Sequence, residues 1–273
     1  MPCPCRRTRD SGVEAVLDSL ARRTPTDRPV ALVVAHPDDE TIAAGASLHL
    51  LTRLLLVHVT DGAPRNLDDA ARAGFGSPAD YAEARQAELA AALHVAGCTP
   101  ERVTLGIPDQ DASLHLPAIA QCLRALFAQH GTQAVITHAY EGGHPDHDAV
   151  ALAVHMAAPG RVVEFPGYHA APDGSLVTGQ FLPPSHPAAI RVPLDLKERA
   201  QKRRMLDCFQ TQARILAAFD TQEESLRPAY PNFRAAPHPG TLNYEHWGWN
   251  MTGPRWRALA AEALTTLEAP CAA

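Results

Sequence analysis

Val30-Ala31-Leu32-Val33-Val34, running directly into Ala35-His36-Pro37-Asp38-Asp39-Glu40, decides how this chain is read. Five apolar residues in succession leave no polar face, which predicts a strand covered on both sides, as in a parallel sheet. Pro37 restricts the backbone just before the next helix, so His36 sits at the turn and the carboxylates fall in the first helical turn. In open parallel sheets the ligand crevice lies at the carboxyl ends of the strands, where this turn falls.

Working outward, a helical stretch is expected to about residue 51, then a second buried strand over 54–59 that ends at Thr60-Asp61-Gly62. A helix over 80–96 is stopped by Gly97, a short strand covers 102–105, and a helix over 116–129 is stopped near Gly131. A strand over 134–137, a helix over 146–157 and a strand over 161–165, halted by Pro166, complete the pattern. Such alternation predicts an α/β, Rossmann-like fold: a mostly parallel sheet with helices on both faces. Beyond Pro166 the chain turns Pro- and Gly-rich, with a strand at 190–192 and helices over 195–209 and 254–267. The expected organisation is an N-terminal extension (1–28), a Rossmann-like catalytic core (29–166) and a loop-rich C-terminal lobe (167–273) packed on it, the whole forming one continuous domain.

Bulk properties narrow the function. With 46% apolar residues, 273 residues can bury a sizeable core. A net charge of -6 argues against a nucleic-acid partner held by phosphate neutralisation. The basic run 199–204 reads as a solvated helix face. No apolar run reaches the roughly 18 residues of a membrane span, and no secretory segment follows the Cys-, Pro- and Arg-rich start, so a cytoplasmic protein is expected. The pair Cys3/Cys5 is a weak metal signal. Free thiols are expected for these two and for Cys98, Cys122, Cys208 and Cys271.

A second segment, Glu141-Gly142-Gly143-His144-Pro145-Asp146-His147-Asp148, repeats the layout of strand, His-Pro and acidic helix start. His36 and Asp39, three apart across a turn, can converge on one point, and an imidazole with a carboxylate suits zinc. His147 supplies a third ligand. Three protein ligands leave a position for water, the arrangement of a catalytic rather than a structural site.

The two segments together resemble the PIG-L/LmbE-like family of zinc N-deacetylases, over roughly 30–165. The Asp61-Gly62 turn, Arg85-x-x-Glu88 and the loop ending at Asp109 fit the same pattern. The resemblance implies Zn2+, with another divalent metal as the alternative, held by His36, Asp39 and His147. It makes Asp38 the general base and puts His144 near the developing oxyanion, oriented by Asp146. The substrate it implies is a small N-acyl, acetyl-type amino sugar or conjugate, cut by activated water. Some members carry a tyrosine two residues before the first histidine of the second motif; Gly142 stands there in this chain, with Glu141 as a partial substitute.

Other positions keep two readings. Asp61 and Asp109 could accept sugar hydroxyls or cap nearby backbone. Arg85 could touch substrate or form a local ion pair with Glu88. Trp247 and Trp249 could stack on a sugar or aryl ring, or anchor the C-terminal lobe. His58 and His94 read as structural. The same machinery on a non-sugar amide, and an inactive metal-holding binding protein, are the alternative functions. An HD-type phosphohydrolase is disfavoured by the buried strands, and a nucleotide-binding protein by carboxylates where glycines would cradle phosphate. Self-association is left open.

Overall fold

The computed structural model describes residues 11–183 and 189–268. In chain order its first half comprises α1 (Ser11–Ala21), β1 (Val30–Val34), α2 (Asp39–Ala44), β2 (Leu54–Pro64), α3 (Asp68–Arg72) and α4 (Pro78–Ala96). β3 (Glu101–Asp109), α5 (Leu116–His130), β4 (Ala134–His138), α6 (Pro145–Ala157), β5 (Val162–Phe165), β6 (Tyr168–Ala170) and β7 (Leu176–Thr178) follow. The last part holds β8 (Ile190–Pro193), α7 (Leu196–Leu206), α8 (Ala213–Leu216), β9 (Glu223–Pro228), α9 (Asn243–His246) and α10 (Gly253–Glu268).

Seven strands form one sheet in the order β3-β2-β1-β4-β5-β9-β8. The first five are parallel; β9 runs antiparallel to β5, and β8 antiparallel to β9. Because successive side chains of a strand point to opposite faces, β1 feeds two cores. Ala31 and Val33 pack with Leu116, Ile119 and Leu123 of α5, Val150 and Val154 of α6, and Trp256 of α10. Val30, Leu32 and Val34 pack with Val16 and Leu20 of α1, Leu89 and Leu93 of α4, and Met205 of α7. The mostly parallel α/β sheet covered on both faces is thus the architecture expected.

Four local differences have physical causes. α2 stops at Ala44, because the Ala46 amide and the Ser47 hydroxyl donate to buried Glu224 of β9 instead of extending the helix. β2 and β3 both outrun their predicted ends, with register shifts between His58 and Thr60 and between Thr60 and Pro64; such bulges bend and re-aim a strand's end. Lys202, assigned to a solvated face, is 2% exposed and donates to Glu224 (2.9 Å) and to the Ile42 carbonyl (2.9 Å). The segment after Pro166 also returns β8 and β9 to the main sheet.

Cys98, Cys122 and Cys208 are free; Cys3, Cys5 and Cys271 lie outside the described residues. Among the described residues no helix is long and apolar enough to cross a membrane.

Candidate metal centre

β1 and β4 are neighbours, yet the chain leaves β1 toward β2 and β4 toward β5. A crevice opens where the winding reverses. The two His-Pro-Asp turns follow these two strands, so the topology brings residues a hundred positions apart to one point.

His36, Asp39 and His147 are among the side chains that meet there, with Asp109, His138, His144 and Asp146 around them. His36 Nδ1 stands 3.4 Å from Asp39 Oδ2 and 3.3 Å from His147 Nε2, which is 3.3 Å from Asp39 Oδ1. The two Asp39 distances run to different carboxylate oxygens, and Oδ2 also accepts the His36 amide (2.8 Å). Imidazole nitrogen and carboxylate oxygen are donor types that zinc takes. All three residues are buried. The ring of His36 is oriented from behind: Nε2 donates to Asp109 Oδ1 (3.1 Å), with Asp146 Oδ2 at 3.4 Å. With the proton on Nε2, a bound metal would meet the Nδ1 lone pair, the usual way a carboxylate fixes a ligand tautomer.

Asp38 lies beside this set with φ 134, a strained conformation for a non-glycine residue, costing about 1–3 kcal/mol. Several bonds hold it there. Arg85 Nη2 donates to Asp38 Oδ2 (2.8 Å) and to the Pro37 carbonyl (2.8 Å), and the Asp38 amide donates to Glu40 Oε2 (3.0 Å). His58 braces Glu40 in turn, at 3.1 Å. Burial pushes the Asp38 carboxyl well above the usual range, against the pull of Arg85.

Arg85 is therefore neither a substrate contact nor the partner of Glu88. It is 3% exposed, and its two terminal nitrogens are spent on the Asp38 turn and the Gly62 carbonyl (2.7 Å). Gly62 has φ 70, and a Cβ there would sit 2.5 Å from Arg85 Nη1, so glycine is required. Glu88 instead accepts from the amide and hydroxyl of Thr211.

The second turn departs from the expected pairing. Asp146 does not hold the ring of His144 through its carboxylate. Its amide donates to His144 Nδ1 (3.1 Å), while its carboxylate accepts the amides of Gln110 (2.6 Å) and Ala112 (3.0 Å). The ring thus caps α6, and its Nε2 faces Asp109 Oδ1 at 3.5 Å. Burial and neighbouring His36 hold His144 well below the ordinary histidine range, opposite to the charged form expected from a carboxylate partner.

The remaining positions divide. Asp109 lies at the centre, between His36 and His144. Asp61 caps its own turn through the Ala63 amide (3.0 Å) and pairs with Arg65, away from the cluster. Glu141 is buried and its Oε2 accepts the Gly167 amide (2.9 Å), next to the His147 ring, while Oε1 has no hydrogen-bond partner among the described residues. Tyr140 donates to the Ala235 carbonyl (3.0 Å), and a Cβ at Gly142 would meet Leu242 at 2.7 Å, so no tyrosine fits at that position.

Sequence reading missed His138 and Tyr168. His138 stacks on His147, ring centroids 4.0 Å apart, but its Nε2 accepts the Ala35 amide (3.0 Å), so that lone pair is spent. Burial holds it near a pKa of about 3. Its signal was a histidine closing a buried strand. Tyr168 stands edge-on to His147 at 5.2 Å, and no motif marks it.

Fold and geometry define a doubly wound α/β protein with a buried His/Asp cluster, suited to a divalent metal, at the switch point. Residues 31–158 match the family model PIG-L, described as GlcNAc-PI de-N-acetylase, so the resemblance read from the two motifs holds over that stretch. Among solved structures, the A40926 pseudoaglycone deacetylase Dbv21 is 19% identical with TM-score 0.57, over 76% of this chain and 100% of that one. A teicoplanin-pathway deacetylase bound to teicoplanin is 19% identical with TM-score 0.56, over 73% of this chain and 97% of that one. The zinc-inhibited form of teicoplanin deacetylase Orf2 is 18% identical with TM-score 0.52, over 72% and 96%. These similarities establish the shared fold. No curated protein matches the chain significantly.

Proposed function

We propose that this protein is a zinc-dependent N-deacetylase, releasing an acyl group, acetyl in the first instance, from an amino sugar or its conjugate. The observation that carries the reading is the gathering of His36, Asp39 and His147, with donor atoms 3.3–3.4 Å from one neighbour to the next, beside a carboxylate outside that set. A pure binding site needs ligands but no strained Asp38. The family match and the deacetylases sharing the fold support the same chemistry.

Zinc, when bound, supplies Lewis acidity and makes water nucleophilic near neutral pH, since it can lower water's pKa from 15.7 to about 7. The protein's own groups do the rest. Arg85 holds Oδ2 of Asp38, leaving Oδ1 to take a proton from the attacking water. His144 donates from Nε2 to the acyl oxygen as charge grows on it, because Nδ1 is occupied by the Asp146 amide. The C–N bond then breaks, and the amine leaves with the proton held on Asp38. One amide and one water give one carboxylic acid and one amine. Imidazole and carboxylate donors favour zinc over magnesium or calcium, and the cytosol is the compartment we read.

The test is acetate release from N-acetylglucosamine, chitobiose, aryl N-acetylglucosaminides and acylated non-sugar amines, with metal content measured in parallel. Chelator-sensitive release from a sugar, with about one metal per chain, is the expected result. Metal with release only from non-sugar amides would overturn the substrate class, and no metal with no activity on adding it back would overturn the enzyme.

A further inference from the structure

The segment between α9 and α10 carries two of the chain's three tryptophans, and its place in the fold gives them a use the metal centre does not explain. The residues of α9 just before it are anchors. Tyr244 is fully buried, the Asn243 amide donates to the Gly142 carbonyl (2.9 Å), and Asn243 Nδ2 donates to the Gly143 carbonyl (3.1 Å). The segment is therefore fastened to the loop that leads into His144 and His147. Gly143 permits this crowding, since a Cβ there would lie 1.8 Å from the Tyr168 carbonyl oxygen.

Beyond the anchor, Gly248 takes φ 70 and separates the two indoles. Trp249 packs on His144, centroids 4.5 Å apart, and Trp247 meets Trp249 edge-on at 4.8 Å. Tyr168, edge-on to His147, lies 5.8 Å from Trp247. The rings form a wall that starts at the metal centre and ends at Trp247, which is 42% exposed. Asn243 and Tyr244 fasten the segment from within α9, and Trp247 presents part of its indole to solvent at the outer end of the wall. A flat ring one position beyond His144 matches the second ring of a substrate whose N-acyl group reaches the cluster.

We propose that Trp247 is a specificity-determining residue that stacks on a second ring attached to the N-acyl amino sugar, so that the substrate is a ring-bearing conjugate rather than a free monosaccharide. This rests on the deacetylase reading and deepens it. Aryl aglycones and a second sugar share the needed feature, a flat apolar face. Aromatic rings gain about 0.5–1.5 kcal/mol from offset or edge-on packing, about a 3- to 10-fold effect on kcat/KM.

The test compares an aryl N-acetylglucosaminide and chitobiose with methyl N-acetylglucosaminide, in the wild type, Trp247→Ala and Trp247→Phe. The ratio of kcat/KM for each two-ring substrate to that for the methyl glycoside should fall about 3- to 10-fold in the alanine variant and recover in the phenylalanine variant. Which two-ring substrate loses more identifies the aglycone. A ratio unchanged by Trp247→Ala overturns the proposal. So does an equal loss on every substrate with unchanged melting temperature. A second readout is independent of turnover: quenching of tryptophan fluorescence by an aryl glucosaminide in metal-free protein. Quenching retained in Trp247→Ala overturns the subsite while leaving the deacetylase reading intact. Wild-type quenching without hydrolysis of any sugar overturns that reading and keeps the subsite.

Discussion

The turns after β1 and β4 share the string His-Pro-Asp, yet their residues do different work. In the first, the histidine ring points its Nδ1 into the cluster, the next aspartate stands strained outside it, and Asp39 completes the turn. In the second, the histidine caps a thirteen-residue helix with Nδ1, the aspartate binds the backbone of the β3 loop, and His147 enters the cluster. The difference lies in the backbone. Asp38 at φ 134 bends the first turn away from a regular cap, whereas His144 keeps an extended conformation (φ -128, ψ 138) suited to capping. Equal strings following equal strands therefore do not imply equal roles.

The sharpest way to break this comparison is to remove one histidine from each turn. His36→Ala should abolish metal binding in elemental analysis and lower kcat/KM by about 10,000-fold. Retained stoichiometry would take His36 out of the ligand set. Asp38→Asn comes next: metal stays at wild-type content while kcat falls about 100- to 10,000-fold. Activity near wild type would assign the proton transfer elsewhere. His144→Ala should keep the metal and lower kcat by about 100- to 1,000-fold with little change in KM, because its contact strengthens only in the transition state. It should also cost about 1 kcal/mol of stability through the lost cap of α6. A pure KM effect would make His144 a substrate contact, and unchanged stability in denaturant titration would deny the cap.

The smallest effect sharpens the comparison at the far end of α6, a length of helix that α2 lacks. Burial lowers His155 to a pKa of about 4, beside Phe233 of the C-terminal segment. The unfolded chain takes up this proton near pH 6.5, before the folded one does. Its stability contribution is thus complete above about pH 6.5 and is lost as the pH falls toward 4. His155→Gln should make stability up to about 3 kcal/mol less pH-dependent across that window. Identical slopes for variant and wild type would exclude His155 as the titrating group.

Much of this was legible because it is local. The uninterrupted apolar run 30–34 could only be a doubly covered strand, Gly97 and Gly131 stopped their helices in left-handed conformations as expected, and both acidic turns fell at strand ends. His36, Asp39, His144, Asp146 and His147 lie together where the two motifs meet, while His138, which no motif marked, lies among them as well. What could not be read is whatever depends on a partner distant in sequence. Arg85 looked like one half of a pair with Glu88, three residues on; it is spent on Asp38 instead. Lys202 looked solvated until β9 brought Glu224 beneath it.

By itself, then, the sequence determined the alternation of strand and helix and the two acidic turns, because hydrophobic period and turn chemistry act over a few residues. Only the tertiary structure decided that β1 and β4 lie side by side, that Asp109 stands behind His36, that His138 spends its lone pair on Ala35, and that Trp249 packs on His144. These are contacts between segments roughly seventy to a hundred residues apart, set by how the sheet is wound and which faces must be buried, and no local pattern encodes them.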